Sequence, residues 1–354
     1  MRSLFVIATF AAIAGCHPPP IESGGAATEE QEVRIPTSDG RVPFLAGSLH
    51  AASTGKGPAV LMIQGSGPTD RDWNNPHIPG ENGSGGLVAH ALARAGLTVL
   101  AYDKRGTGRT AKDPAPGPTT ADDDARSALR FLLARGHRVG LFGHSDGASI
   151  ARRVALTEPR VAAVVLAAAP GRSLRTLLRE QITRNILRPA GVSSRHTIEA
   201  NLRWIEKVVR SARGSPLPAA PRGAHPRVRE LARTLKRSPR LGAMARRFDE
   251  EPTRELARLE APVLILGGGR DVQVARADYD ALVRAARAGQ GVWIPDMDHV
   301  LKLEVRPPTR LSEREVLARY GEPRPVHPRL LAAVCRFLRE RLATGARAAV
   351  ECAD

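Results

Sequence analysis

The chain alternates short, continuously apolar segments with longer segments in which apolar residues recur every three or four positions. Six apolar runs have the length of strands: Ala59–Ile63, Leu97–Tyr102, Val139–Phe142, Val161–Ala169, Val263–Leu266 and Val292–Ile294. Helical spacing marks Leu87–Ala95, Asp122–Ala134, Ala148–Leu156, Ala275–Ala288 and Leu330–Leu342. Apolar runs without alternation indicate strands buried on both faces, as in a parallel sheet covered by helices. The pattern therefore predicts an α/β fold with a doubly wound, mostly parallel sheet.

Two regions depart from this alternation. The segments Glu32–Pro36 and Val42–His50 have the pattern of an antiparallel hairpin that leads into the sheet. Residues 171–260 contain arginine-rich helical pieces and no buried strand, with 19 Arg and 2 Lys against 9 acidic residues, a net charge of +12. We expect this insertion, which is too polar for a core of its own, to form a helical cap that packs across the sheet.

The composition indicates a globular protein but does not identify a binding partner. The 354 residues are 42% hydrophobic and 25% charged, which excludes bulk disorder and allows one large α/β domain with an insertion. The net charge of +17 suggests nucleic acid or an anionic membrane as a partner. However, 47 of the 53 cationic residues are arginines, and a codon bias toward arginine produces such a charge without any partner. We therefore expect no nucleic-acid partner.

The first residues have the layout of a bacterial export signal. Arg2 precedes an apolar run, Leu4–Ala14, which is too short to cross a bilayer. The junction Ile13–Cys16 resembles a lipobox, in which the cysteine is diacylated and becomes the first residue of the mature protein. Two acyl chains suffice for stable anchoring. The sequence thus predicts export and a membrane anchor through lipid on Cys16, in the cell envelope on the periplasmic side or at the outer membrane.

These patterns divide the chain into six segments. They are a lipoprotein signal peptide (1–15), a disordered Pro- and Gly-rich tether (16–31), two parts of the α/β core (32–170 and 261–345), the cap between them (171–260) and a tail (346–354). Cys335 falls in the apolar periodic segment of the last helix, so we expect a buried thiol there rather than a disulfide with Cys352.

A glycine-flanked serine lies between a predicted strand and a predicted helix. The segment Gly143–Gly147 (GHSDG) directly follows the strand that ends at Phe142. A G-x-S-x-G turn in this position is a nucleophile elbow, in which a tight strand-to-helix turn lifts the serine hydroxyl clear of the sheet. Backbone N–H groups at the start of the following helix favour developing negative charge. Ser145 is therefore the candidate nucleophile, and the N–H of Asp146 is a candidate oxyanion donor.

A serine hydroxyl needs a histidine base and a carboxylate that orients the histidine. Of the ten histidines, His299 follows a late strand and precedes the last helix, which is the position that the chain order serine, acid, histidine requires. Asp271 follows the preceding strand and a glycine turn, from which its carboxylate can reach the far nitrogen of the imidazole. Asp296 and Asp298 are alternatives that lie close to His299 in the sequence, but adjacent side chains usually diverge.

A glycine-rich loop follows the first apolar strand. In Gln64–Pro68 (QGSGP), the glycines allow a backbone N–H to turn toward the nucleophile, and Ser66, or else Gly67, is the candidate second oxyanion donor. The glycine spacing matches neither common nucleotide-binding fingerprint, which disfavours phosphate binding. The sequence contains no His-x-x-x-His or CxxC spacing, and it predicts no metal site.

These motifs resemble the α/β-hydrolase superfamily. The loop Gly65–Asp72, the following Asn74–Pro76 and the segment Tyr102–Gly108 are similar to those of a bacterial esterase group often described as serine aminopeptidase-like hydrolases. The likeness covers about Val33–Leu342. It implies the α/β-hydrolase fold and a carboxylesterase that acts on short or medium acyl esters without a cofactor. The chain departs from the group at Trp73, where a glycine is expected, and in its arginine-rich cap.

Several functions stay open at this point. A serine esterase that works through an acyl-enzyme, with a small-molecule ester as its substrate, is the leading hypothesis. The same residues would serve a peptidase, a thioesterase or an acyltransferase, and the sequence does not separate these bond types. A non-catalytic lipoprotein that binds anionic partners through its cap is a further alternative. Asp70, Arg71 and Asp72 are expected to brace their loop by ion pairing rather than to take part in the chemistry.

Overall fold

One eight-stranded sheet with helices on both faces dominates the structure. The computed structural model describes residues 29–51, 57–212, 214–238, 241–306 and 313–343, with the backbone alone at 313 and 314. The strands are β1 (Glu29–Pro36), β2 (Phe44–Ala51), β3 (Ala59–Ile63), β4 (Thr98–Tyr102), β5 (Val139–His144), β6 (Val161–Ala167), β7 (Val263–Gly268) and β8 (Gly289–Ile294).

The helices include every one that the periodicity predicts. They are α1 (Ser84–Arg94), α2 (Thr120–Leu133), α3 (Asp146–Thr157), α4 (Leu174–Ile182), α5 (Arg195–Arg210), α6 (Pro226–Arg237), α7 (Leu241–Arg247), α8 (Pro252–Leu256), α9 (Arg276–Ala285), α10 (Glu313–Tyr320) and α11 (Pro328–Leu342). A π-helical turn, Thr183–Leu187, continues α4. Helix α10 has no counterpart among the predicted elements.

The strand order has a topological switch point at β3. The order is β1-β2-β4-β3-β5-β6-β7-β8. The predicted hairpin is confirmed, because β1 and β2 pair antiparallel, and β2 pairs antiparallel with β4. All pairs from β4 to β8 are parallel. Strand β3 has β4 on one side and β5 on the other, and open α/β sheets bind ligands at the carboxyl ends of strands at such a switch point. The predicted doubly wound, mostly parallel fold is therefore confirmed.

The central strands are apolar along their whole length because both faces of the sheet are covered. Leu61 of β3 belongs to an apolar cluster with Leu129 of α2 and Val154 of α3. The next residue, Met62, belongs to a second cluster with Val88 of α1 and with residues of α11. Since successive side chains of a strand point to opposite faces, the two clusters lie on the two sides of the sheet. This burial explains why the strands show no polar alternation.

The arginine-rich insertion forms a compact unit with its own apolar core. Among the described residues, this unit comprises 172–251 together with 115–120. Its core includes Leu178, Trp204, Val208, Leu231 and Phe248. The expectation that the insertion is too polar for a core is therefore wrong. A net charge averages over all residues, whereas amphipathic helices such as α5 and α6 need only one apolar face each to bury a shared core.

Many arginines of this unit are paired with acidic residues of the same unit. Arg179 binds Glu206 at 2.6 Å and Glu199 at 2.5 Å. Arg210 binds Asp249 at 2.7 Å. The net charge of +12 already counts these acidic partners, so the pairs leave it unchanged and show only that these arginines have structural contacts within the unit. The C-terminal part of the predicted cap, residues 252–260, belongs to the larger unit. Its Leu256 and Leu259 are part of the same apolar cluster as Leu61 of β3.

Some predictions fall outside the described residues or differ from the structure. The signal peptide, Cys16, most of the tether and the tail at 346–354 lie outside the described residues. Residues 29–31, assigned to the tether, are the first residues of β1. Cys335 is disulfide-bonded, so the expected buried thiol is wrong, because helical periodicity reports burial but not whether another cysteine reaches the sulfur. Within the described residues, no helix combines the length and hydrophobicity needed to span a bilayer.

Candidate active site

Ser145 lies on a strained turn between β5 and α3. Its φ is 54° and its ψ is −120°, a conformation that residues with a side chain rarely adopt. Two glycines make the turn possible. A Cβ on Gly143 would lie 2.5 Å from Cα of Ala148, and a Cβ on Gly147 would lie 2.1 Å from the carbonyl oxygen of Ile63. The turn has the local structure of the predicted elbow, with the serine at the N-terminus of a helix.

His299 joins Ser145 to Asp271 by hydrogen bonds. Its Nε2 lies 3.1 Å from Oγ of Ser145, and its Nδ1 lies 2.8 Å from Oδ2 of Asp271. The other carboxylate oxygen, Oδ1, accepts the N–H groups of Gln273 at 2.7 Å and Val274 at 2.9 Å, which holds the carboxylate in place. With Nδ1–H donating to Asp271, Nε2 is the atom that accepts the serine hydroxyl. The structure thus brings together the three residues that the sequence singles out.

The two alternative acids are engaged elsewhere. The carboxylate of Asp296 accepts a hydrogen bond from Nε2 of His327 at 3.0 Å. Asp298 accepts Arg324 at 2.6 Å and the backbone N–H of Lys302 at 2.9 Å. Burial raises the pKa of Asp298, although the Arg324 guanidinium opposes this shift. Neither carboxylate is bonded to His299, which agrees with the preference for Asp271.

His144, the neighbour of Ser145 in the elbow, holds the backbone of His299. Its Nε2–H donates to the carbonyl oxygen of His299 at 2.7 Å. Burial, reinforced by the nearby His299 ring, lowers the pKa of His144 to about 3, so this imidazole is neutral at physiological pH. The sequence places His144 beside the nucleophile but gives no signal for its role, because its partner lies 155 positions away in the chain.

Trp73 explains how the chain tolerates a departure from the family pattern. Its φ is 69°, which accounts for the glycine expected at this position. The indole is 3% exposed and stacks on the imidazole of His144, with centroids 4.8 Å apart and an interplanar angle of 15°. Gly85 makes room for it, since a Cβ there would lie 2.6 Å from Cγ of Trp73. Trp73 therefore packs against the ring that positions His299.

The loop with the candidate oxyanion donor lies against the elbow. A Cβ on Gly65 would lie 3.2 Å from Cβ of Ser145, so the chain at Ser66 passes close to the nucleophile. The ammonium of Lys104 donates to the carbonyl oxygens of Gly65 and, at 3.1 Å, of Gly67. Both carbonyls therefore point toward the lysine. Asp146, whose N–H is the other candidate donor, is the first residue of α3.

An ion pair ties this loop to the end of β4. The Arg71 guanidinium donates to both carboxylate oxygens of buried Asp103, at 3.2 and 2.8 Å, and its backbone N–H donates to the same carboxylate at 2.9 Å. Asp70 accepts the backbone N–H groups of Asp72 and Asn74, each at 2.9 Å. The expected bracing by an ion pair is confirmed for Arg71, whereas Asp70 holds the loop through backbone N–H groups instead of an ion pair. Among the described residues, one group has metal-ligand spacing, Glu30 with two histidines, and it shares no residue with this site.

The sheet, its switch point and the elbow together define an α/β hydrolase. The model of the Alpha/beta hydrolase family matches residues 60–314, and the chain belongs to that family. Similar proteins include Esterase EstD of Thermotoga maritima, 28% identical over 284 residues. That match covers 77% of this chain and 60% of the relative, so this chain spans less than two thirds of that esterase.

A second curated protein and a solved structure are also similar to parts or most of this chain. Thiohydrolase apmlB of Arthrinium phaeospermum is 32% identical over 145 residues, which cover 38% of this chain and 41% of that protein. Among solved structures, the Pyrococcus furiosus esterase Pf2001 has a TM-score of 0.52 at 17% identity, covering 92% of this chain and 97% of that chain. At this identity, the structural likeness shows the fold alone.

Proposed function

We propose that this protein is a serine esterase that cleaves carboxylic esters through an acyl-enzyme. The observation that carries the proposal is the continuous hydrogen-bond path from Ser145 through His299 to Asp271, on a strained elbow at the carboxyl edge of the sheet. The similarity to EstD, which is named as an esterase, supports the ester as the bond that is cleaved. Because the match covers only 60% of EstD, the ester as substrate class is a proposal for this chain.

The geometry supports a two-step mechanism. Ser145 Oγ attacks the ester carbonyl carbon while its proton passes to Nε2 of His299, and Asp271 stabilises the resulting imidazolium. The tetrahedral oxyanion accepts hydrogen bonds from the backbone N–H groups of Ser66 and Asp146. Collapse of this intermediate expels the alcohol, which takes its proton from His299. A water molecule, deprotonated by His299, then attacks the acyl carbonyl carbon, and the second tetrahedral intermediate collapses with cleavage of its bond to Ser145 Oγ. The carboxylic acid leaves, and Oγ takes the proton back from His299.

A substrate panel tests this assignment. Wild-type full-length protein and Ser145→Ala, purified in detergent, are given an aryl ester, an aryl anilide and a thioester of the same short acyl group. We expect the ester to be the best substrate by kcat/KM, with turnover that requires Ser145. An anilide or a thioester that is hydrolysed faster than the ester would assign the site to a peptidase or a thioesterase instead. Equal rates for wild type and Ser145→Ala with all three substrates would contradict hydrolysis at this site.

Lys104 is a positioning residue for the oxyanion loop in this mechanism. We expect Lys104→Met to lower kcat by roughly ten- to a hundredfold with little change in KM, somewhat less than the loss of one direct oxyanion donor. The reason is that the carbonyls of Gly65 and Gly67 lose their common donor, so the intervening Ser66 N–H is no longer held in place. Steady-state kinetics on a short acyl ester measure the two constants separately.

Two controls accompany this variant. Lys112→Met removes an exposed lysine from the same segment and should leave both constants unchanged. Lys104→Arg should not restore kcat, because a planar guanidinium does not replace a compact ammonium that donates to two converging carbonyls. A rise in KM with kcat unchanged would assign Lys104 to substrate binding and would contradict the positioning role.

We further propose that the protein is exported and anchored to a membrane of the cell envelope through lipid on Cys16. The lipobox-like junction Ile13–Cys16 supports this proposal. We expect wild-type protein to enter the detergent phase of a phase-partition experiment, and Cys16→Ser to stay unprocessed or in the aqueous phase. Intact mass spectrometry would show the diacyl addition on the wild type. Equal partitioning of both forms would contradict the anchor but would not affect the proposed catalytic mechanism.

A further inference from the structure

Two histidines and a glutamate from three different elements meet at the β1–β2 hairpin. Glu30 of β1 and His50 of β2 are directly paired across the antiparallel ladder. His90 comes from α1, and its ring lies against that of His50, with centroids 4.7 Å apart and an interplanar angle of 71°. One ligand atom of each side chain, an imidazole nitrogen or a carboxylate oxygen, lies within 4.8 Å of the other two.

His50 is the unusual member of this group. The residue is 2% exposed, and its Nδ1 is buried with no hydrogen-bond partner among the described residues. A buried imidazole nitrogen without a partner costs free energy, and native structures normally satisfy such atoms. Nothing in the proposed esterase mechanism uses His50, so the group needs another explanation.

We propose that Glu30, His50 and His90 form a binding site for a divalent transition-metal ion of the zinc type. Two imidazoles and one carboxylate are a ligand set that zinc uses in proteins, with a water molecule in the fourth position. In a tetrahedral zinc site the ligand atoms lie about 3.4 Å apart, since each bond is about 2.1 Å long. Glu30 is exposed, so a change of its rotamer can bring its carboxylate toward the two imidazoles.

The surroundings of Glu30 support the carboxylate in a ligand position. The hydroxyl of Ser48 is hydrogen-bonded to the Glu30 side chain. Ser48 Oγ in turn accepts Arg71 Nη1 at 2.7 Å. Metal-ligating carboxylates are commonly held by such a second layer of hydrogen bonds. The positive charge of Arg71 is already compensated by its ion pair with Asp103 at 2.8 Å, so it does not by itself oppose a bound cation.

The position of the site indicates what the metal would do. Strand β1 is at the edge of the sheet, and Glu30 is its second residue. A metal bound by Glu30, His50 and His90 would join this edge strand to its neighbour β2 and to α1. Because metal binding to the folded state stabilises it, the ion would act as a clamp on the first strand of the larger unit.

Zinc binding by the full-length protein tests this inference directly. The protein is purified in detergent without an affinity tag, treated with a chelator and dialysed. Zn²⁺ is then titrated by calorimetry, and the melting temperature is followed with and without Zn²⁺. We expect one high-affinity zinc per chain and a higher melting temperature with the ion. Mg²⁺ should not compete, because it prefers oxygen ligands.

Matched variants locate the binding. Glu30→Gln and His90→Gln should each weaken zinc binding on the order of tenfold or more and remove the zinc-dependent stabilisation. Glu29→Gln, one residue earlier on the same strand and on its other face, should behave like wild type. His299→Ala should also keep its zinc, which separates this site from the proposed catalytic residues. No binding, equal competition by Mg²⁺, or unchanged binding by both Glu30→Gln and His90→Gln would overturn the inference.

Discussion

Replacing Ser145 with alanine is expected to lower kcat for ester hydrolysis on the order of 10⁵- to 10⁶-fold, to a residual rate set by substrate binding and the oxyanion donors. The reason is that Oγ of Ser145 is the proposed nucleophile, and its 3.1 Å contact with Nε2 of His299 is the path by which its proton leaves. His299→Ala removes the base from the same path and is expected to cost a similar factor.

A double variant of Ser145 and His299 shows whether the two residues act together or contribute independently to kcat. Because Ser145 and His299 act in one proton transfer, Ser145→Ala with His299→Ala should be little slower than either single variant. Steady-state kinetics with a short aryl ester, together with a circular dichroism spectrum to check folding, measure this. Multiplication of the two single losses in the double variant, or wild-type turnover by folded Ser145→Ala, would contradict the assignment.

Asp271→Asn is expected to lower kcat about 10⁴-fold while the fold is retained. An amide at this position would donate to Nδ1 of His299 and favour the tautomer that carries its proton on Nε2, so Nε2 could no longer accept the serine proton. The two N–H groups of Gln273 and Val274 that now bind the carboxylate would still hold the side chain oxygen. The loss should therefore appear in kcat rather than in stability.

Asp296→Asn is the matched control for this prediction. Asp296 is three residues from His299 in the sequence but binds His327, so its amide should leave kcat within a few-fold of wild type. Asp298 is a poor substitute for Asp271 because its carboxylate is committed to Arg324. A larger loss for Asp296→Asn than for Asp271→Asn would show that the acid has been assigned to the wrong carboxylate.

The parts of the fold that the sequence predicts well are those controlled by local patterns. Strands such as β3 and β5 are uniformly apolar because helices cover both faces of the sheet, and this burial is visible in the sequence. The elbow is predictable for a similar reason. Gly143 and Gly147 are required by contacts with residues that are near in the chain or at the end of the adjacent strand. The motif can therefore be recognised from a short stretch of sequence.

Contacts between distant segments are visible in the sequence only where a motif and a known chain order mark them, as they do for Ser145, Asp271 and His299. His144 binds a residue 155 positions away, and Glu30, His50 and His90 come from three elements with no common local spacing. The apolar core of the insertion was not predicted, because the net charge of residues 171–260 indicated a segment too polar to form one. The role of Lys104 is also not visible in the sequence, because the two carbonyls that accept its ammonium lie 39 and 37 positions away.

Covalent labelling of the wild-type protein with a fluorophosphonate shows whether Ser145 is an activated nucleophile. This reagent reacts with a serine hydroxyl that is activated by a histidine base, and mass spectrometry of the digested protein identifies the modified residue. We expect one adduct per chain, on Ser145, with strongly slowed labelling in His299→Ala and none in heat-denatured protein. Folded wild-type protein that stays unlabelled at Ser145, or that is labelled at another serine instead, would contradict Ser145 as the nucleophile.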